Sequence, residues 1–433
     1  MNKYNKQEYN VPDERKVLYG EVTTDYKTID IMLNMLPKHV WTNKNYRWLD
    51  VGCGQGYISY AIYIRLLNGI KHMFATKKEC SNHIVKNMLF MIDVNMYHMN
   101  TLKNMFGNDA NIIIDNFINP LNTSINIIGT PDIIISNPPY NINGTVNTPT
   151  NIKSKKSDGI TVWRDFLYKS LNILNKNGHL CFINPSIWFR VDKHNIHKYI
   201  ISNYTLLKTM CFNATETSKM FHGKAQTPVV IYTIQKAPPA SNTVKMWDSF
   251  KSNYVDYPAC VKTPLPLNDY NFILNINEYI KKYGYLSVVK TNCISSKNKV
   301  SSSFSTTYPH KCIKTMHADD TVVYNYASLP TNYQNDKKLI MANKMYGKPL
   351  LDLDGKYGIS TRDNYIILME NKSKKDMKIL CDYINSDFVQ RIFNCFRYRM
   401  RYLEREAFLF VPDVLSYLQH NSDKTIEDLI DNI

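Results

Sequence analysis

The stretch WLDVGCGQGYISYAIYIRLL, residues 48–67, restricts the fold more than any other part of the chain. WLDV reads as a buried strand, and it runs directly into a turn carrying Gly52, Gly54 and Gly56. From Ile58 to Leu67 the apolar residues recur at helical spacing. The same alternation continues downstream. A helix over 79–88 feeds the apolar strand LFMIDVN (89–95), short strands follow at 111–117, 132–137 and 179–185, and a helix over 163–178 is stopped at Gly178. Residues 204–212, 227–235 and 243–247 supply further strands. Upstream, Ile29, Met32, Leu33 and Leu36 predict a helix that ends before Pro37. Strands alternating with helices mean an α/β fold: a Rossmann-like parallel or mixed sheet with helices on both faces and ligands at the carboxyl ends of its strands.

Two acidic residues stand at such ends. Asp50 closes the strand before the glycine turn, where bare backbone can approach a nucleotide-like ligand at the next helix's N-terminus. A tight turn packed for its own sake would use the same glycines. Asp93 closes the next strand, and a carboxylate there can accept hydrogen bonds from both ribose hydroxyls. It lies further along than the usual ~20 residues. The additional helix at 79–88 accounts for the excess, and an ordinary strand-end Asp is the other reading.

The sharpest feature is Asn137-Pro138-Pro139-Tyr140, directly after an apolar strand. Two prolines fix an extended turn and lack amide hydrogens, while Asn137 holds a side-chain carbonyl at the mouth of the sheet. The result is a rigid pair of acceptors beside an aromatic face. It suits a planar amine, whose two hydrogens bond to the Asn137 side chain and the Pro138 carbonyl so that the nitrogen lone pair is aimed at an electrophile.

On these motifs the chain resembles the S-adenosylmethionine-dependent DNA adenine-N6 methyltransferases of restriction-modification systems, in the gamma order: cofactor motifs first, NPPY next, target recognition last. The resemblance covers residues 18 to about 236 well and the remainder loosely. It implies a class I methyltransferase sheet with S-adenosylmethionine held by Asp50, Gly52, Gly54, Gly56 and Asp93, and with Asp115 and Phe117 flanking the cofactor adenine. GEVTTDYKTIDIML (20–33) matches the segment that reaches the methionine end, through Glu21, Thr23 and Thr24. Here the family usually has Thr-Pro and this chain has Thr24-Asp25, which weakens that part of the match. The resemblance further implies base flipping, the target adenine stacking between Tyr140 and Phe221. NPPY also serves enzymes that methylate a glutamine amide in release factors, or RNA guanine, so the class of enzyme is firmer than the substrate. A catalytically dead homologue that only binds DNA is a further alternative, disfavoured by the intact Asn137 and Tyr140.

Charge points to DNA. Lys and Arg number 53 against 37 Asp and Glu, a formal net charge of +16, which favours a polyanionic partner, nucleic acid first, while excess Lys is as often only a solvated surface. The sequence divides into an N-terminal arm (1–16), a catalytic domain (17–238) and a mixed α+β target-recognition domain (239–433), with the boundary at the Pro-Pro-Ala-Ser stretch. Residues 376–405 are expected to be helical. Arg397, Arg399 and Arg401, interleaved with aromatics, can reach phosphates or guanine edges, or can simply be the charged face of a core helix. Lys153, Lys155 and Lys156 sit in a polar linker that either closes over the flipped base or stays a solvated loop. Nine Cys without a C-x-x-C pair argue against a disulfide framework or zinc knuckle, and no metal is expected. No apolar run approaches a membrane span or a signal peptide, so a soluble intracellular protein is expected. A monomeric, solitary modification enzyme fits the resemblance, with a separate restriction endonuclease as a partner it allows.

Overall fold

The computed structural model describes residues 12–143, 159–223, 225, 227–290, 298–317, 321–343, 349–360, 364–399 and 402–433. They form two compact units, Met1–Lys262 and Thr263–Ile433.

The first unit is built on one sheet. Its strands are β1 (Trp48–Val51), β2 (Leu89–Asp93), β3 (Asn111–Ile114), β4 (Ile133–Ser136), β7 (His179–Pro185), β8 (Thr205–Phe212), β9 (Val229–Gln235), β10 (Thr243–Asp248) and β11 (Asn253–Pro258). The pair β5 (Asn141–Ile142) and β6 (Ile160–Thr161) forms a separate small ladder. The sheet order is β11-β10-β8-β9-β7-β4-β1-β2-β3. Pairing is parallel from β3 to β7; β9 lies antiparallel between β7 and β8, and β11 is antiparallel to β10. The chain leaves β1 in one direction towards β3 and then crosses back to lay β4 on β1's other side. That reversal opens a crevice at the carboxyl ends of β1 and β4.

Both faces of the sheet are covered, which explains why WLDV and IIIS (133–136) are apolar or small at nearly every position and buried throughout. On one face Leu89, Met91, Ile133, Ile135 and Ile231 join Ile29, Met32 and Leu33 of the helix Tyr26–Met35 and Ile62 and Leu66 of the helix Tyr57–Ile70 in a single core. The residues between them, Phe90, Ile92 and Ile134, are buried on the other face, where the helix Trp163–Ile173 buries Phe166, Leu167 and Leu171. The helix foreseen at 79–88 begins as Lys77–His83 and ends in a π turn, Ile84–Met88.

Three expectations are corrected. The domain boundary does not lie at 238–241: β10, the strand expected over 243–247, pairs with β8, β11 pairs with β10 beyond it, and the compact unit runs to Lys262. The flexible arm expected over 1–16 ends sooner: Asp13–Tyr19 is helical, closed by Gly20 at φ 64°. Residues 376–405 are not one helix. Lys374–Asn385 ends at Ser386, whose hydroxyl caps a second helix, Asp387–Cys395, and Phe396 then leaves helical geometry at φ −114°, ψ 24°.

The second unit is mixed α+β. One four-stranded sheet orders Val289–Lys290, Asn364–Leu368, Lys338–Ala342 and Leu350–Asp352, all antiparallel; another orders Val300–Ser301, Val322–Ala327, His310–Met316 and Gly358–Ile359. Helices Tyr270–Tyr283, Lys374–Asn385 and Asp387–Cys395 are amphipathic, burying residues such as Ile273 and Ile276, Leu380 and Ile384, and Ile392 and Phe393.

Candidate active site

At the crevice, the segment 18–24, the turn after β1 and the ends of β2, β3 and β4 surround a cavity of about 300 Å³. Glu21, Thr23, Thr24, Gly52, Gly54, Asp93, Asp115, Phe117, Asn137 and Pro139 all line it. These residues span more than a hundred positions of sequence, and the topological switch brings them together.

The glycine turn is held from below. Ile92 carbonyl accepts the amides of Gly52 (2.9 Å) and Cys53 (3.1 Å), and the Gly54 amide donates to Asp93 Oδ2 at 2.8 Å. Gly54 has φ 53°, a backbone region that L side chains rarely occupy, so the turn can present this amide only through glycine. Asp93 Oδ1 accepts from the Asn95 amide at 2.8 Å. Burial raises the Asp93 pKa above the ordinary carboxylate value, and the two amides pull it back down. Each oxygen thus has one fixed backbone partner and a further lone pair, as a diol would need.

Asp50 is placed differently. It is fully buried beneath the turn, takes the Ser59 hydroxyl at 2.5 Å on Oδ2, and does not line the cavity. Burial pushes its carboxyl up to about 7, so it supports the turn from within. Asp115 also does structural work: its oxygens take the Asn116 and Leu121 amides, each at 2.7 Å, and the Ser124 hydroxyl and these amides hold its pKa down. Phe117 is almost wholly buried and lies against Phe166, with ring centroids 5.6 Å apart.

Near Asp93, on the far side of Asn95, Glu21 meets His98 Nε2 at 3.3 Å, Asn95 Nδ2 at 3.4 Å and Arg15 Nε at 3.6 Å. Asn95 and His98, both buried, were missed by the sequence reading. Asn95 lies in the turn after β2 and His98 opens the helix His98–Phe106; their contacts with Glu21 bridge 74 and 77 positions, and no local pattern signals such a pairing.

The NPPY turn stands over the same cavity. Asn137 Nδ2 donates to Thr24 Oγ1 at 2.8 Å, so the amide's remaining acceptor is Oδ1. The segment before the first strand comes so close that a Cβ on Gly20 would lie 2.3 Å from the Asn141 carbonyl oxygen. Glycine is required there, a signal present in the sequence but unused. Tyr140 and Phe221 meet edge to face, centroids 6.5 Å apart and planes at 90°, with Phe221 only 2% exposed. The Tyr140 hydroxyl is buried with no hydrogen-bond partner among the described residues, and burial raises its pKa.

The other expected contacts are less uniform. Lys153, Lys155, Lys156 and Arg401 lie outside the described residues. Arg399 is tied to Glu404 by two bonds, Nε to Oε1 at 2.6 Å and Nη2 to Oε2 at 2.8 Å, and Arg397 is half-buried. Neither lies on a helix. Among the described residues no helix is long and apolar enough to cross a membrane.

Residues 40–217 match the Eco57I restriction-modification methylase family, so the resemblance read from the motifs is borne out over that stretch. A search of curated proteins gives no match. Among solved structures, a class I S-adenosylmethionine-dependent methyltransferase described as putative, from Listeria monocytogenes, aligns at 15% identity over 52% of this chain and 65% of its own, with TM-score 0.35. The type I restriction-modification methyltransferase subunit of Streptococcus thermophilus aligns at 13% identity over 56% of this chain and 52% of its own, TM-score 0.38. The ATP-dependent Type ISP restriction-modification enzyme LlaBIII bound to DNA aligns at 10% identity over 80% of this chain and 33% of its own, TM-score 0.45. The chain therefore spans less than two thirds of each of these proteins.

Proposed function

We propose that the chain is a DNA methyltransferase that moves a methyl group from S-adenosylmethionine to the N6 amine of adenine in a specific duplex sequence. The observation that carries this reading is the seating of the Asn137 amide, one edge bonded to Thr24, in the same cavity as the Asp93 carboxylate.

The residues present fit that cofactor. Asp93 offers one further lone pair on each oxygen to the ribose hydroxyls, the Gly52–Gly54 backbone offers close approach, and Phe117 offers an apolar wall to the adenine. Glu21, an anion in the cavity, suits the ammonium of the methionine end. When bound, S-adenosylmethionine supplies an electrophilic sulfonium methyl. The protein's part is positioning and the exclusion of water. Asn137 Oδ1 and the Pro138 carbonyl accept the two amine hydrogens, which turns the nitrogen lone pair away from the ring. Tyr140 and Phe221 give the base its aromatic walls. Since the two rings touch edge to face, a flipped base must part them, which also gives the orphaned Tyr140 hydroxyl a way out of burial.

Duplex DNA as substrate rests on the net charge of +16 and on the mixed α+β unit that follows the sheet. In this reading the second unit selects the sequence, with Arg397 among its phosphate contacts, and the NPPY side supplies the chemistry.

The test uses the purified chain with isotopically labelled S-adenosylmethionine and, in parallel, unmethylated duplex DNA, RNA and release factor. N6-methyladenine in hydrolysed DNA is the expected product. Asn137→Ala should lower the single-turnover rate on the order of 100-fold or more, since a preorganised acceptor at the reacting nitrogen is lost. Label in RNA or in protein glutamine instead of DNA, or a fully active Asn137→Ala, overturns the reading.

A further inference from the structure

We infer that Thr24 is a positioning residue for the Asn137 amide, and not the cofactor contact that its place in the segment before β1 suggests. The inference deepens the methyltransferase reading and rests on it.

An Asn side chain carries an acceptor and a donor of almost equal size; a hydroxyl partner, which can donate or accept, holds the amide in place, and the substrate's own hydrogens select which of the two atoms serves it. A substrate amine brings two hydrogens and requires the acceptor. In this chain the donor is taken: Nδ2 bonds to Thr24 Oγ1 at 2.8 Å, across 113 positions of sequence. With the nitrogen held, Oδ1 is the atom left to face the amine. The hydroxyl that holds it is itself well fixed. Thr24 is only 6% exposed, and β-branching restricts its rotamers. The next residue starts a helix, Asp25 accepting the Thr28 amide at 2.7 Å, so the backbone at Thr24 is pinned between that helix and the NPPY turn. On the other side of the segment, Gly20 allows contact with Asn141, whose carbonyl would lie 2.3 Å from any Cβ at Gly20. The segment therefore docks on the NPPY turn at two points, one of close packing and one a hydrogen bond to the reacting amide.

The two roles for Thr24 predict different kinetics. A contact to the cofactor acts alike in ground and transition states, so its loss weakens binding with little change in the saturated rate. An orienting contact acts on the amine acceptor, so its loss lowers the saturated rate and leaves cofactor affinity alone. Thr24→Val keeps the shape and removes the hydroxyl; Thr24→Ser restores it.

The experiment measures single-turnover methylation of long unmethylated duplex DNA at saturating S-adenosylmethionine, together with cofactor affinity by calorimetry. It compares the parent protein, Thr24→Val, Thr24→Ser and Asn137→Ala. The expected result is a rate roughly 10-fold lower in Thr24→Val, recovery to within about 2-fold in Thr24→Ser, and cofactor affinity within about 2-fold in both. Should Thr24→Val fail to fold, Thr24→Ala is read in the same way. A parental rate in Thr24→Val beside an inactive Asn137→Ala overturns the inference and spares the methyltransferase reading. So does a weakened affinity large enough to account for the lost rate. An active Asn137→Ala overturns the reading beneath it.

Discussion

Two sets of polar residues in this molecule, one half-buried and one buried, have opposite designs. At the carboxyl ends of β1, β2 and β4, the side chains of Asp93, Glu21 and Asn137 have partners on one side and a cavity on the other. In the second unit, Lys338 and Asp352 are 0% and 2% exposed and fully consumed by the protein. Lys338 Nζ donates to Asp352 Oδ2 at 2.6 Å and to the Asp336 carbonyl at 2.9 Å, while Asp352 also takes the amides of Lys356 (2.7 Å) and Tyr357 (2.9 Å). An aspartate stands in both sets, so that residue type alone does not separate them. The difference is whether hydrogen-bonding capacity remains for an outside partner, since a buried group left unsatisfied is costly unless something arrives to satisfy it. Arg399 belongs with the second set, because its fork already fills both oxygens of Glu404.

If this distinction holds, substitutions in the saturated cluster should cost stability, and those at the cavity should cost chemistry or binding. The largest effect expected is at Lys338. Lys338→Met leaves Asp352 as a buried charge without its counterion, which costs about 3–5 kcal/mol. Urea unfolding followed by probes in each unit should show the second unit melting early while S-adenosylmethionine still binds the first. A loss below about 1 kcal/mol would mean that this pair is no more than a surface-type ion pair.

Asp50 sharpens the boundary: it belongs to the cofactor turn in sequence, yet it is fully buried away from the cavity, with Oδ2 taking the Ser59 hydroxyl and Oδ1 left without a partner among the described residues. Its folded pKa is raised to about 7 from an ordinary 3.8, so between those values the folded state holds more protons than the unfolded. Its contribution to stability is therefore full below pH ~4 and is lost as pH rises to ~7, by on the order of 4 kcal/mol. Asn cannot titrate and still accepts from Ser59. Asp50→Asn should flatten the stability profile of the first unit over this window in pH-dependent chemical denaturation. A profile as steep as the parent's would place the titrating group elsewhere.

Asp93 lies on the open side of the comparison. Asp93→Ala removes the carboxylate proposed for the ribose hydroxyls, and the expected result is a cofactor Kd raised roughly 10-fold with a smaller change in the saturated rate, since that contact is alike in ground and transition states. Titration calorimetry decides it. An unchanged Kd would put the ribose partner elsewhere and move Asp93 to the structural set with Asp50.

The elements of the first unit were legible because their signals are local. Apolar runs such as LFMID and IIIS, the latter bracketed by Pro131 and Pro138, gave strands that the structure reproduces within a residue or two, and the switch point follows from strands alternating with helices. The long-range pairings were not legible. Nothing in the neighbourhood of Thr24, His98 or Ser59 announces Asn137, Glu21 or Asp50 as its partner. At 376–405 the helical pattern of Arg and Tyr carries on past Cys395, but Glu404 holds Arg399 and the buried Tyr398 hydroxyl donates to the Leu265 carbonyl at 2.6 Å, so tertiary partners replace the helix.

Asp25 gives the smallest effect and lies where the two designs meet, because it caps a helix of the core and sets the residue that holds Asn137. The related family usually has proline here. Asp25→Ala removes the bond to the Thr28 amide and should cost about 1 kcal/mol. Asp25→Pro removes the same bond, but φ at this position is −72°, which proline already favours, and the unfolded chain is stiffened in return. Its loss should be smaller than that of alanine. The two variants should also differ in rate, with Asp25→Ala slowing single-turnover methylation a few-fold as the Thr24 backbone loosens, and Asp25→Pro holding it near the parental value. Urea midpoints and single-turnover rates measured side by side test both statements. Equal losses of stability with equal rates would mean that the helix start is fixed by its buried face, through Ile29, Met32 and Leu33, and that the cap contributes nothing to the placement of Thr24.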